Sequence, residues 1–188
     1  MNDSLLETLP GDATTYMSID TVTNVDDAVC YPTEFLNSLE IPGLPPHILS
    51  LKVYAPVILI RNLDPPKLCN GTRLIIKTLF PNVVEATVLT GAGSGESVFL
   101  PRIPLITSTT FMTSEFKRLQ FPLRLAFALS INKAQGQTLS VTGINLDSPC
   151  FSHGQFYVAC SRVGNPQNLY VYAPNGETKN VVYEKALY

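Results

Sequence analysis

The sequence has little charge and no excess of positive charge. Only 15% of its 188 residues are charged, and 13 Lys and Arg face 15 Asp and Glu, which gives a net charge of −2. Proteins that bind nucleic acid unaided usually carry a basic patch, so this composition argues against a self-sufficient nucleic-acid binder. Apolar residues make up 45% of the chain, a globular composition whose length suits one domain or one domain with a small insert.

Cysteine and histidine are also scarce. The cysteines are Cys30, Cys69, Cys150 and Cys160. They include no C-x-x-C pair, which favours a reduced, intracellular protein. Neither His47 nor His153 has a cysteine or histidine at ligand spacing, so no metal site is predicted. The N-terminus lacks the basic and apolar regions of a signal peptide, and no run of about 18 apolar residues occurs, so we expect no membrane association.

The first two thirds of the chain consist of short apolar runs separated by turn signals such as Asn70-Gly71. Strands are predicted over 14–22, 48–53, 57–61, 73–79, 83–89 and 97–106. This spacing predicts a small β-barrel or meander. A short helix is predicted over 33–39, with Thr33 as its cap.

After residue 120 the pattern changes to strand, loop, strand, helix and strand. The segments are 123–130, 130–138, 141–147, 153–161 and 168–174. This order predicts an α/β domain with a mainly parallel sheet. Ligands of such sheets bind outside the carboxyl ends of the strands, so the loop at 130–138 is the predicted position of a site.

The loop at 130–138 carries polar side chains suited to phosphate contact. Lys133 is a compact cation, and Gln135 and Gln137 offer both donors and acceptors. Gly136 lets the backbone approach a ligand closely or adopt a positive φ. Two hydroxyl groups flank these residues, on Ser130 and Thr138. Taken by itself, a loop of this kind is more often an ordinary polar turn between strands.

Two further features have competing interpretations. Arg162 follows an apolar, helix-like segment, where its planar fork could face a phosphate or form a surface ion pair. The segment 91–95, G-A-G-S-G, is rich in glycine, but a strand pattern follows it, which predicts a hairpin loop. No G-x-x-x-x-G-K-[ST] phosphate-binding motif occurs in the sequence.

Two segments taken together are far more specific. A-L-S-I-N-K-A-Q-G-Q-T-L and F-S-H-G-Q-F-Y-V-A-C-S-R-V resemble the last two helicase motifs, V and VI, of the Pif-type (petite-integration-frequency) DNA helicases. These are 5′-to-3′ motors of superfamily 1. The upstream stretch L-P-P-H-I-L-S-L-K-V-Y-A-P-V-I-L-I-R-N-L-D-P-P-K-L-C-N-G-T-R-L is similar to the family's SH3-like 2B insert and its junction. The resemblance covers roughly residues 3–175 and looks closest to the eukaryotic and Helitron-like branch.

The resemblance implies a RecA-like second motor domain, mainly a parallel sheet, that carries a small β-rich SH3-like 2B insert. The implied segments are 1–33 (start of domain 2A), 34–80 (2B region), 81–120 (β-rich continuation and return), 121–175 (domain 2A with motifs V and VI) and 176–188 (tail). Two positions depart from the family pattern. Asn132 stands where many members have histidine, and Tyr54 stands where glycine is usual.

The resemblance also implies roles for individual residues. Arg162 would be the arginine finger of motif VI. The residues on the nucleotide side would be Gln135, Gly136 and Gln155. The residues that contact DNA would be Ser130, Lys133, Gln137 and Thr138. Arg61 and Asn62 fall in a matched stretch whose role the resemblance does not assign.

The expected function is therefore the C-terminal part of an ATP-dependent 5′-to-3′ DNA helicase. ATP and Mg²⁺ would be held mainly by a first motor domain, so we expect this chain alone to be inactive. Its partners would be single-stranded DNA or a duplex junction, and that first motor domain. The implied setting is DNA repair, recombination or rolling-circle transposition, in the nucleus or in mitochondria.

Two alternatives belong to other classes of protein. One is a non-catalytic remnant or interaction module derived from a truncated gene or mobile element. The other is a β-barrel that binds nucleic acid alone through residues 48–106, against which the acidic pI of about 5.6 argues.

Overall fold

A computed structural model describes residues 1–24, 26–109, 112, 114–183 and 185. It divides into two compact units, Met1–Ala128 and Leu129–Tyr188. Both contain helices and strands, so the mixed α/β class is confirmed. None of the helices in the described ranges has the length and hydropathy needed to cross a membrane.

The described residues of the first unit form two α-helices and ten strands. The helices are α1 (Asn2–Thr8) and α2 (Thr33–Ser38). The strands are β1 (Thr14–Met17), β2 (Ile19–Val22), β3 (Ile48–Leu51), β4 (Pro56–Leu59), β5 (Arg73–Leu79), β6 (Val83–Val88), β7 (Ser97–Pro101), β8 (Ile103–Thr107), β9 (Phe116–Gln120) and β10 (Leu123–Leu125). The helix predicted at 33–39 is confirmed, but Pro32 and not Thr33 takes the cap position.

The largest sheet is an antiparallel meander of consecutive strands, β4 to β7, with β10 returning beside β4. Its turns follow the sequence signals. At Asn70-Gly71 the Thr72 N–H donates to the Cys69 carbonyl at 2.9 Å, and Gly71 adopts a φ of +96°. At 91–95 the Gly95 N–H donates to the Val88 carbonyl at 2.8 Å, which confirms the predicted hairpin loop.

Two predicted strands are each divided between sheets. Residues 14–22 form β1, which pairs with β3, and β2, which pairs with β9. The chain changes partner at Ser18, whose N–H donates to the His47 carbonyl at 2.9 Å. Residues 97–106 divide in the same way, since β7 pairs with β6 and β8 pairs with β9.

The core of the first unit lies beneath the five-stranded sheet. Alternate residues of its strands are buried, as the period-two pattern requires. The buried members include Val57, Leu59, Leu74, Ile76, Val84, Ala86, Leu100 and Leu123, and Leu51 of β3 belongs to the same core. Tyr16 and Phe121 pack edge to face among them, with ring centroids 4.9 Å apart.

A buried arginine joins the strands to the segment after α2. Arg118 on β9 is 1% exposed and donates to both carboxylate oxygens of Asp20 on β2, at 2.8 and 2.7 Å. Its remaining donors reach the carbonyls of Pro45, Leu36 and Leu39 at 3.0–3.3 Å. This charge is therefore paired and hydrogen-bonded, as burial demands.

Arginines also hold the proline-rich segment 41–46. This segment lies outside the sheets, and three of its carbonyl groups accept hydrogen bonds from side chains. Arg61 donates to the Gly43 carbonyl at 3.1 Å, and Arg124 donates through Nε to the Leu44 carbonyl at 3.0 Å. With Arg118 on Pro45, three arginines occupy three consecutive carbonyls, which fixes the path of the chain here.

The second unit is a small α/β arrangement. Its described elements are β11 (Thr142–Asn145), α3 (Gln155–Cys160) and β12 (Leu169–Tyr172), with short 3-10 helices at Ile131–Ala134 and Pro166–Asn168. β11 and β12 pair in parallel, and α3 forms the connection between them. The core of this unit contains Ile144, Leu146, Cys150 and Ala159.

The expectation of a mainly parallel sheet is wrong for the described residues. Among the named strands only β11 and β12 pair in parallel, because only they are joined by a crossover helix. The predicted strand at 123–130 is also shorter. β10 ends at Leu125 and pairs antiparallel with β4, whose first residue, Pro56, has no N–H with which to continue the ladder.

We predict that Arg118→Met lowers the stability of the first unit strongly. Removing one member of a buried ion pair leaves Asp20 charged and under-paired, at a cost of about 3–5 kcal/mol. Thermal denaturation should show a melting temperature lower by roughly 6–20 °C. The control is Lys67→Met, whose ion pair with Glu96 is about half exposed and should matter little. An equal effect of both changes would contradict the role given to Arg118.

Candidate functional site

The predicted loop at 130–138 opens the second unit as a short 3-10 helix. The Ser130 carbonyl accepts the N–H groups of Lys133 and Ala134 at 2.9 and 3.3 Å. The Ser130 side chain makes no cap hydrogen bond, so its hydroxyl stays exposed. The sequence pattern predicts this loop at the carboxyl end of a parallel strand. The structure differs, because β10 is antiparallel and ends at Leu125, before the loop begins.

Ile131 of this loop packs against the core of the second unit, whereas several polar side chains of the loop face solvent. Lys133, Gln135 and Thr138 are exposed. Gly136 follows with a φ of +78°, the left-handed conformation that glycine adopts without steric cost. The loop therefore offers a cation, an amide and a hydroxyl on a turn that depends on Gly136.

The side chain of Gln137 folds back onto its own loop, and its contact with DNA stays a prediction. Its side-chain Nε2 donates to the Lys133 carbonyl at 3.0 Å, so the amide folds back onto its own loop. Its Oε1 is buried and has no hydrogen-bond partner among the described residues. In this conformation the side chain of Gln137 stabilises the loop, and its backbone carbonyl accepts a hydrogen bond from Arg162.

Arg162 joins the loop to the end of α3. Its Nε donates to the Val158 carbonyl at 2.8 Å, its Nη1 to the Gln137 carbonyl at 3.2 Å and its Nη2 to Ser161 Oγ at 2.7 Å. The Arg162 carbonyl in turn accepts the Leu139 N–H at 2.8 Å. Three of the five guanidinium N–H groups are thus occupied, and two remain for a ligand.

Gln155 lies at the other end of α3. Its Oε1 accepts the N–H groups of Phe151 and Ser152 at 3.0 and 3.3 Å, so the carbonyl side of its amide closes the turn before the helix. α3 has six residues, which places Gln155 and Arg162 roughly 10 Å apart at 1.5 Å per residue. A ligand that touches both would have to run along the helix.

The partners that fix these groups were not predicted from the sequence. Ser161 supplies one acceptor for Arg162, and its position directly before the arginine is a signal that could have been noticed. The tail packs at the start of α3, where Tyr183 stacks on His153 and the Gly154 N–H donates to the Val181 carbonyl at 3.2 Å. That contact has no local sequence signal, because it joins residues far apart in the chain.

The cysteines of this unit are poorly suited to act as nucleophiles or metal ligands. Burial raises the pKa of the Cys150 and Cys160 thiols, which disfavours the thiolate that attacks electrophiles or binds metals. In the part of the chain that the structure describes, no cluster of three or more His, Cys, Asp or Glu residues could hold a metal ion. The loop and Arg162 are suited instead to anionic ligands.

Comparison with known proteins places this geometry in one family. A family model for the 2B domain of DNA helicase Pif1 matches residues 34–79. The ATP-dependent DNA helicase PIF1 of Mus musculus is 32% identical over 90% of this chain, and that of Homo sapiens is 30% identical over the same share. The chain belongs to the Pif-type DNA helicase family.

Solved structures of Pif-type helicases share its fold. The crystal structure of Pif1 helicase from Candida albicans matches with a TM-score of 0.71 and 29% identity, covering 99% of this chain and 45% of that one. Bacteroides Pif1 in complex with ADP-AlF3 and ssDNA matches with a TM-score of 0.71 and 25% identity, covering 99% and 40%. The chain spans only 24% of the length of the mouse helicase and 16% of a Trypanosoma brucei relative, PIF6.

We predict that Gly136→Val distorts the loop whereas Gly136→Asn is tolerated. A Cβ at Gly136 would meet nothing within 4 Å, so the cost lies in the positive φ alone, about 1–2 kcal/mol for a branched residue and less for asparagine. Hydrogen exchange of the amides at 130–139 should be faster in the valine variant. The matched control is Gly143→Val on β11, which also has open space but no positive φ. Equal exchange in both valine variants would contradict the conformational role of Gly136.

Proposed function

We propose that this chain is the second-motor-domain part of an ATP-dependent 5′-to-3′ DNA helicase. It supplies the arginine finger, Arg162, and part of the track for single-stranded DNA, the loop at 130–138. The observation that carries the proposal is the hydrogen bond from Arg162 Nη1 to the Gln137 carbonyl. This bond connects the group that would sense nucleotide directly to the loop that would sense DNA.

The loop is suited to the backbone of a single strand. Lys133 is exposed and makes no ion pair among the described residues, so its ammonium is available to a phosphate. The exposed hydroxyl groups of Ser130 and Thr138 can donate to phosphate oxygens. The Bacteroides relative was crystallised with ssDNA, which supports single-stranded DNA as the ligand of this chain.

Arg162 and Gln155 offer hydrogen-bond donors to one face of a bound ATP. The two guanidinium N–H groups that make no hydrogen bond in the structure can donate to phosphate oxygens. Gln155 uses its Oε1 to close the turn before α3, so its amide nitrogen can also donate to the nucleotide.

The glycine-rich segment 91–95 does not fit a phosphate, because three N–H groups in and beside it donate to carbonyls of the same hairpin. ATP with Mg²⁺ supplies the phosphoryl group whose transfer to water drives such motors.

A first motor domain would therefore hold most of the nucleotide. Arg162 contributes a fixed positive charge where negative charge develops on the γ-phosphate, and it acts without reorganisation because α3 and the loop hold it. We propose that the chain alone does not hydrolyse ATP. We further propose an intracellular setting in DNA repair, recombination or rolling-circle transposition, in the nucleus or in mitochondria.

We predict that Arg162→Ala removes most of the DNA-stimulated ATP turnover of a protein in which this chain is joined to a Pif-type first motor domain. Arginine fingers contribute on the order of 10³ to 10⁵ in rate. Arg162→Lys should restore little, since a point charge lacks the planar fork. Steady-state turnover is measured together with nucleotide affinity and melting temperature. Turnover of the alanine variant within about threefold of the parent would contradict the finger.

We predict that the isolated chain binds single-stranded DNA weakly and with a strong dependence on salt. Each neutralised phosphate contributes about −0.7 to the slope of log affinity against log salt. Lys133→Gln should remove nearly one phosphate contact and so make the slope less negative by nearly that amount. The slope is measured by fluorescence anisotropy with an oligothymidylate. Lys67→Gln serves as the control, since Lys67 is paired with Glu96 in the other unit. Tight binding that salt leaves unchanged would contradict the phosphate contacts.

A further inference from the structure

Tyr54 occupies a backbone conformation that tyrosine rarely adopts. Its φ is +67°, and it is the non-glycine residue with a positive φ in the described chain. The Ala55 N–H donates to the Lys52 carbonyl at 3.1 Å, which makes Tyr54 the third residue of a turn between β3 and β4. Glycine or asparagine is preferred at such a position because their φ can be positive at low cost.

The structure offers no folding role that would offset this cost. The Tyr54 side chain is 68% exposed, and neither its ring nor its hydroxyl contacts another described side chain through a ring contact or hydrogen bond. Glycine would give the same turn without strain. Strained residues of this kind cluster at binding and catalytic sites, where the side chain and not the fold requires them.

The turn holds the ring on a rigid base. The Tyr54 N–H donates to the Ile76 carbonyl at 2.8 Å, and the Ile76 N–H donates to the carbonyl of Ala55, which is fully buried. Lys52 Nζ donates to the Leu9 carbonyl at 2.7 Å and ties the start of the turn to the segment after α1. The ring therefore projects from a fixed backbone, which lowers the entropy lost when a ligand binds.

We propose that Tyr54 is a stacking platform for a base of single-stranded DNA. This inference rests on the proposed function, since it assigns a further contact with the same class of ligand, single-stranded DNA. Every base has a π-face, so a flat exposed ring suits a strand of any sequence. Lys77, directly after Ile76 on β5, is paired with Glu85 at 2.6 Å. Lys52 lies within the turn and makes no ion pair among the described residues, and only one of its three ammonium N–H groups is used, on the Leu9 carbonyl. The remaining positive charge of Lys52 favours a polyanion over an apolar protein surface.

The test uses the absence of tryptophan from the sequence. Tyr54→Trp gives the 188-residue chain one fluorophore at the proposed platform. Titration with an oligothymidylate should quench its emission, because a stacked base lies against the indole. An abasic oligonucleotide of equal length, which has phosphates but no bases, should quench it far less.

A matched variant controls for quenching by nearby DNA in general. Phe99 on β7 is also exposed, at 64%, but lies on an ordinary strand. Phe99→Trp should keep its emission when DNA is added. Unchanged emission of Tyr54→Trp, or equal quenching by the abasic strand, would overturn the stacking site, as would docking of the ring on a second copy of the chain.

A second set of variants separates the platform from the turn. Tyr54→Asn tolerates the positive φ and removes the ring, so it should melt at or above the temperature of the parent. Its affinity for the oligothymidylate should fall about fivefold to a hundredfold, from 1–3 kcal/mol per stacked base at 1.4 kcal/mol per tenfold. Tyr54→Phe keeps the ring and should bind within about twofold of the parent.

The outcomes distinguish this site from the proposed function. Binding that Tyr54→Asn leaves unchanged but Lys133→Gln weakens would overturn the platform and leave the DNA track at 130–138 standing. A parent chain that does not bind the oligothymidylate at all would overturn both.

Discussion

A buried guanidinium is the constraint on which the first unit depends. Arg118 pairs with Asp20 across β9 and β2 and also satisfies carbonyls on the segment after α2. The proline-rich segment 41–46 has few N–H groups of its own and lies outside the sheets. Leu44 and Pro45 are buried, so without the arginine donors their carbonyls would lack these hydrogen bonds. The arginine thus fixes how the chain leaves β2 of the three-stranded sheet and reaches β3, which pairs with β1.

Sequence reasoning succeeded where structure is decided locally. The turn at Asn70-Gly71, the hairpin at 91–95 and the strand at 73–79 follow from residues adjacent in the chain. It failed where a distant partner decides. The strand predicted at 14–22 changes sheets at Ser18 because His47 offers its carbonyl there, and no pattern within nine residues could show that.

The candidate site shows the same division. The loop around Gly136 and the position of Arg162 after α3 were readable from residue types and from the family resemblance. The fold-back of Gln137 and the bond from Arg162 to its carbonyl were not, since they join two segments separated by a strand and a helix. That bond couples the loop to Arg162, because a ligand that displaces the loop also changes the hydrogen bond that holds the guanidinium.

The central claim is that the loop at 130–138 meets single-stranded DNA. Hydrogen exchange of the 188-residue chain with and without an oligothymidylate tests it most directly, since it reports each amide in solution. The account predicts slower exchange at 130–139 and at the end of α3 when DNA is bound, with little change in the hairpin at 91–95. Unchanged exchange at 130–139 in a chain saturated with DNA would contradict it.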